Sequence, residues 1–75
     1  MKEEDENEVL LKKKVDLFFK DKTKVHISYN KGYWKRGYIT EVSSDFFMLD
    51  ETLEGLFPVF FIEIKSVDKF NERSF

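Results

Sequence analysis

Residues 24–50, KVHISYNKGYWKRGYITEVSSDFFMLD, decide the fold of this chain. The first six alternate: Val25, Ile27 and Tyr29 fall on one face, Lys24, His26 and Ser28 on the other. A period of two marks a strand with one face in a core. Asn30-Lys31-Gly32 follows. A three-residue connection ending in glycine suits a hairpin, because its last position needs a positive φ. Residues 33–42 continue as a long second strand with Gly37 inside it. A glycine within a strand often marks a bulge or tight bend, so the sharpest curvature is expected there. Ser43-Ser44-Asp45 reads as a turn, and Phe46-Phe47-Met48-Leu49 as a third strand buried on both faces.

Working outward, residues 51–55 form a turn and residues 56–62 a fourth strand. Pro58 has no N–H to give a ladder, so it belongs at a sheet edge or at the strand's start. Residues 64–70 read as a fifth strand, with Ile64, Ser66 and Asp68 on one face and Lys65, Val67 and Lys69 on the other. Upstream, the spacing predicts a helix over about residues 5–20. Asp5 would cap it with Glu8 three places on, and lysines follow towards its end, an order that complements the helix dipole. Leu11, Val15, Phe18 and Phe19 recur at helical spacing, with Leu10 and Leu17 beside them. Residues 1–75 therefore read as one domain: a helix, a barrel over about 24–70, and a tail over 71–75.

The run Gly32, Gly37, Ile39, Val42, then Phe47 and Leu49, resembles the first sequence motif of the Sm/LSm superfamily, and its spacing is closest to the bacterial Hfq-like branch. Residues 58–70, PVFFIEIKSVDKF, are similar to the shorter second motif. The resemblance implies a mainly β fold: an N-terminal helix on a strongly bent five-stranded antiparallel sheet, forming a small SH3-like barrel of Sm type. It also implies assembly into a ring and RNA binding. In that superfamily the fourth strand of one subunit pairs with the fifth of the next, which would make Pro58, Val59, Phe60, Phe61, Ile62, Ile64 and Val67 the oligomer interface. RNA contacts in such rings come from the loop between strands two and three and from the junction between strands four and five. Those places are Ser43-Ser44-Asp45 and Phe60-Phe61-Ile62-Glu63 here. The junction has neither the Arg-Gly of the eukaryotic and archaeal branches nor the Lys-His of the bacterial one. It offers no cation, and Glu63 would repel phosphate.

Composition points to association. A 75-residue domain buries only about 60% of its unfolded surface, and with no cysteine it has no disulfide or thiolate metal site to reinforce it. Nine phenylalanines exceed what so small a barrel can enclose, so several should lie exposed and mark an interface. Residues 9–40 carry nine cations against two acids, whereas 41–75 carry three against eight. This block can form a basic face that attracts phosphate, or it can be neutralised by a neighbouring subunit. No apolar run approaches a membrane span, and the acidic start is not a signal peptide; a soluble cytoplasmic protein is expected.

No catalytic constellation is present. His26 is the only histidine, no phosphate loop occurs, Ser43 and Ser44 lack a partner base, and the acidic run Asp50, Glu51, Glu54 reads as a solvated turn. No cofactor or metal is implied. By parity Trp34, Arg36 and Tyr38 share a strand face. They can stack on bases and contact phosphate, or they can simply pack against the sheet. The candidate RNA-binding residues are thus Lys31, Trp34, Arg36, Ser44, Asp45 and Phe61, with single-stranded RNA and further copies of the chain as partners. A small SH3-like barrel serving as a protein-interaction or scaffold module, without nucleic acid, is the alternative.

Overall fold

The computed structural model describes residues 6–71. Helix α1 (Glu6–Asp21) precedes strands β1 (Lys24–Tyr29), β2 (Trp34–Val42), β3 (Phe46–Glu51), β4 (Gly55–Phe60) and β5 (Ile64–Lys69), with one 3-10 turn (Phe61–Glu63) between β4 and β5. All neighbours pair antiparallel, in the order β4-β3-β2-β1-β5. A cap at Asp5 lies outside the described residues, as does the tail beyond Asn71.

In α1 only Leu11 and Val15 are buried; Phe18 packs partly on the core. Phe19, expected on the same stripe, is 36% exposed, and Leu10 and Leu17 face outward. Ion pairs Glu8–Lys12 (3.3 Å) and Asp16–Lys20 (3.1 Å) line the outer side, each contributing about 0.2–0.5 kcal/mol. The helix ends in a paired motif: Thr23 N–H donates to the Phe18 carbonyl (3.0 Å) and Lys22 N–H to that of Phe19 (3.3 Å). Lys22 takes the left-handed conformation this requires, at φ 56°.

The β1–β2 hairpin forms as its sequence dictates. Val25, Ile27 and Tyr29 are buried, and Gly32 supplies φ 103°. Gly37 does something other than bulge. It pairs regularly with Val25 and Glu51, and the break in the β2–β3 register falls between Ile39 and Glu41. What Gly37 provides is closeness: a β-carbon there would lie 2.9 Å from the Asp50 carbonyl carbon and from the Glu51 α-carbon. Only a residue without a side chain lets the two strands cross so tightly.

Three other expectations need correction. β3 is buried on one face, not two: Phe47, Leu49 and Glu51 point in, while Phe46 and Met48 are half-covered. Its apolar outer face is used within the sheet, Phe46 packing against Phe60 with ring centroids 5.3 Å apart. β4 ends at Phe60, so Phe61 and Ile62 belong to the 3-10 turn. In β5 strict alternation fails. The register on β1 slips between Ser28 and Tyr29, which lets Ile64 and Val67 both turn inward.

The sheet curls around one core drawn from α1, every strand and the 3-10 turn, but its two edge strands do not pair with each other. Phe61 N–H donates to the Asp45 carbonyl, and Phe70 N–H to that of Lys24. Hydrogen-bonded pairs alternate along an antiparallel ladder. That alternation turns the backbone of Leu56, Pro58 and Phe60 towards the free edge of β4, and that of Val67 and Lys69 towards the free edge of β5. Pro58 thus sits on an edge strand with its missing donor facing outward.

Candidate nucleic-acid interface

The candidate residues separate into three places. Lys31 is exposed in the β1–β2 turn. Ser44 and Asp45, both exposed, meet the β4–β5 junction, where the Asp45 carbonyl accepts from Phe61 N–H at 3.0 Å. Trp34 and Arg36 stand on the outer face of β2.

The junction does not present the ring expected to stack on a base. Phe61 is 3% exposed, tilted against Phe47 at 5.4 Å, with the Lys12 ammonium 5.7 Å from its centroid. The side chains of Val59, Ile64 and Val67 are likewise committed to the subunit's own core. Of the residues expected at an oligomer interface, Pro58, Phe60 and Ile62 remain exposed, Ile62 at 82%. The others can contribute only backbone. A cleft beside the junction is lined by Asn7, Glu8, Leu11, Asn30, Phe61, Ile62 and Ile64, without a cation. Asn30 holds it in shape, donating through its side chain to the Ile62 carbonyl (3.1 Å) and through its backbone to that of Glu63 (3.0 Å).

The outer face of β1, β2 and the end of β5 is different. His26 stands opposite Arg36, and Trp34 lies diagonally from His26. The imidazole stacks on the indole at 4.7 Å and 27°. On its other side lies Phe70, at 6.5 Å and 22°. The Arg36 guanidinium is 5.8 Å from both the Trp34 and the Phe70 ring, and the Lys24 ammonium 5.0 Å from Phe70. Trp34 and Tyr38 remain about half exposed, at 49% and 48%. Asp68, across β1 from His26, is bound by Lys14 at 2.8 Å; Asp50 stands opposite Tyr38 farther along. Four aromatic rings and two permanent cations therefore share one outer face, Trp34 and Tyr38 exposed and His26, Phe70, Arg36 and Lys24 partly covered.

Sequence reading found Trp34 and Arg36 but missed His26, Phe70 and Lys24. The signal was available: His26 and Lys24 have the outward parity of β1. The position of Phe70 needed the β1–β5 register, which the bulge hides.

The opposite end of the barrel is a structural knot. Lys35, turned inward, binds Glu54 at 3.0 Å and lies 5.1 Å above Phe57 and 5.8 Å from Tyr33, which stacks on Tyr29 at 4.4 Å. Burial raises the Tyr29 phenol to about 12, helped by Tyr33, Glu63 and Glu54. Glu51 is 8% exposed and accepts from the backbone N–H groups of Leu53 and Glu54, both at 2.7 Å. Those bonds hold its carboxyl below the usual carboxylate range. The carboxylate thus closes the β3–β4 turn. Among the described residues no cluster of three or more His, Cys, Asp or Glu is placed to hold a metal, and no helix is long and apolar enough to cross a membrane.

A helix followed by a bent antiparallel sheet of order β4-β3-β2-β1-β5 defines an Sm-type fold. The structure is similar to the crystal structure of the pleiotropic translational regulator Hfq, with a TM-score of 0.70 over 79% of this chain and 97% of that one, at 17% identity. At that identity the likeness establishes the fold. No family model and no curated protein matches the sequence.

Proposed function

We propose that this chain is an Sm-like RNA-binding protein that assembles with copies of itself into a ring and holds single-stranded RNA on the outer face of β1 and β2. The observation that carries the reading is the Trp34–His26–Phe70 row on the outer face, with Trp34 exposed, His26 and Phe70 partly covered, and Arg36 beside it. Aromatic faces stack on unpaired bases of any identity, and adjacent cations take the phosphates. Trp34 and Arg36 keep the role expected of them, whereas Lys31 lies apart from this face, in the β1–β2 turn beside Ile62 and Glu63. Phe61 does not keep that role, because its ring is in the core, and Ser44 and Asp45 lie with it at an acidic junction. Ring formation is supported by the two free edges and by the exposed apolar side chains along β4, Leu56 and Phe60, with Ile62 just beyond.

Light scattering on a sizing column, with and without a short A-rich or U-rich oligoribonucleotide, tests both parts. The expected result is an oligomer that co-elutes with RNA, with ribonuclease-sensitive absorbance at 260 nm in an untreated preparation. A monomer that ignores RNA contradicts the reading, and favours the protein-interaction module.

A further inference from the structure

His26 is the one histidine in the chain, and the fold sets it in the middle of the outer face. Its backbone is fixed in β1, with Arg36 opposite on β2 and Asp68 opposite on β5. Its imidazole is stacked on the Trp34 indole at 4.7 Å, with planes 27° apart. An indole face also attracts a cation, so this contact suits the charged ring as well as the neutral one. The side chain is only partly covered, so solvent reaches it.

Charged groups face it from every neighbouring element. On β2 the Arg36 guanidinium is 5.8 Å from both Trp34 and Phe70, the two rings that stack with the imidazole. Lys24, on β1 itself, holds its ammonium 5.0 Å from Phe70. On β5 the Asp68 carboxylate is bound by Lys14 of α1 at 2.8 Å. Tyr38 stands opposite Lys24, with Asp50 of β3 beyond it. The carboxylate across from His26 is thus matched by a lysine, which leaves Arg36 and Lys24 to attract an anion to this spot.

Resting on the RNA-binding reading, we propose that His26 is the proton-dependent cation of this face, so that RNA binding and protonation of the imidazole are coupled. A phosphate taken by Arg36 and Lys24 comes to lie beside the rings that hold His26. An anion next to an imidazole favours its charged form. Histidine is the side chain whose charge ordinarily changes between about pH 5 and 8, whereas arginine and lysine stay charged throughout. The basal affinity at high pH then belongs to Arg36 and Lys24, and His26 adds to it as pH falls. Linkage makes the effect mutual: the proton tightens RNA binding by the factor by which RNA tightens proton binding.

The probe is a short oligoribonucleotide of uridine alone, because uracil takes up no proton in this range. Anisotropy at constant ionic strength reads its affinity from about pH 8 to about pH 5.5, across the titration of histidine. Wild-type affinity should rise about fivefold or more as pH falls. His26→Phe keeps a stacking ring but cannot take a proton; its affinity should stay near the high-pH value and change little with pH. Circular dichroism checks that the variant is folded. Calorimetry of the wild type near neutral pH, in two buffers of different ionisation enthalpy, reads the coupling without any variant, and net proton uptake on binding is expected. Wild-type binding that ignores pH and takes up no proton overturns the coupling while RNA binding stands. An equal rise in wild type and His26→Phe removes His26 from it. If the wild type does not bind, the RNA reading and the coupling fall together.

Discussion

The β4–β5 junction and the outer face of β1–β2 lie on one small sheet and carry opposite chemistry. At the junction the Phe61 ring is buried and the exposed groups are Phe60, Ile62 and Glu63, none of them a cation. On the outer face Trp34 and Tyr38 are exposed, His26 and Phe70 partly so, and Arg36 and Lys24 accompany them. The fold alone would direct attention to the junction. The side chains direct it to the outer face. A backbone arrangement fixes where loops and edges are; whether a loop can hold a phosphate depends on what it carries.

Variants can break this contrast. The largest effect is expected from Phe61→Ala, which empties a core position and should cost about 3–5 kcal/mol of stability, enough to unfold much of so small a domain. Urea titration measures it; whatever fraction stays folded should bind RNA normally. Full stability together with lost binding would return the site to the junction. Trp34→Ala should do the reverse. Affinity should fall by about 1–3 kcal/mol, the worth of a stacked base, while the urea midpoint barely moves.

Glu63→Lys sharpens the comparison by giving the junction the charge it lacks. Affinity and the slope of log K against log salt should both stay nearly unchanged, because RNA is held on the outer face. A slope steeper by about 0.7, the mark of one more neutralised phosphate, would bring RNA to the junction.

Tyr29 supplies a pH test of the core alone. Its phenol is raised in the folded state to about 12, so the unfolded chain loses its proton first. Its contribution to stability is therefore complete below the ordinary tyrosine value of 10.0 and is lost as pH climbs from there to about 12. Tyr29→Phe should flatten that alkaline loss. The smallest change in stability is expected from Lys22→Gly. A non-glycine residue at φ 56° is strained, and relieving it should stabilise the helix end by roughly 0.5 kcal/mol, seen as a slightly higher melting temperature.

Much of the scaffold was legible before any coordinates. Period-two alternation placed β1, a glycine placed its hairpin, and parity put Trp34 and Arg36 together. What failed were features decided between strands. Gly37 is required by the Asp50–Glu51 backbone across from it, which no local pattern records. The β5 bulge brings Ile64 and Val67 to one face despite their odd spacing. Phe61 looked like a strand residue near a binding loop, and only the 3-10 turn shows its ring rolling inward onto Phe47. Site residues followed the same division. Those on one strand could be paired by counting, while His26 and Phe70 join the surface only through the register of β1 with its neighbours.

The most direct test of the outer face as the RNA surface is the affinity for a short unstructured oligoribonucleotide, measured across salt for wild type and for the Trp34→Ala, Arg36→Ala double variant. Salt-sensitive binding by wild type that collapses in the double variant, with the fold intact by circular dichroism, is the predicted result. Equal affinity and equal salt slope in both proteins would contradict it.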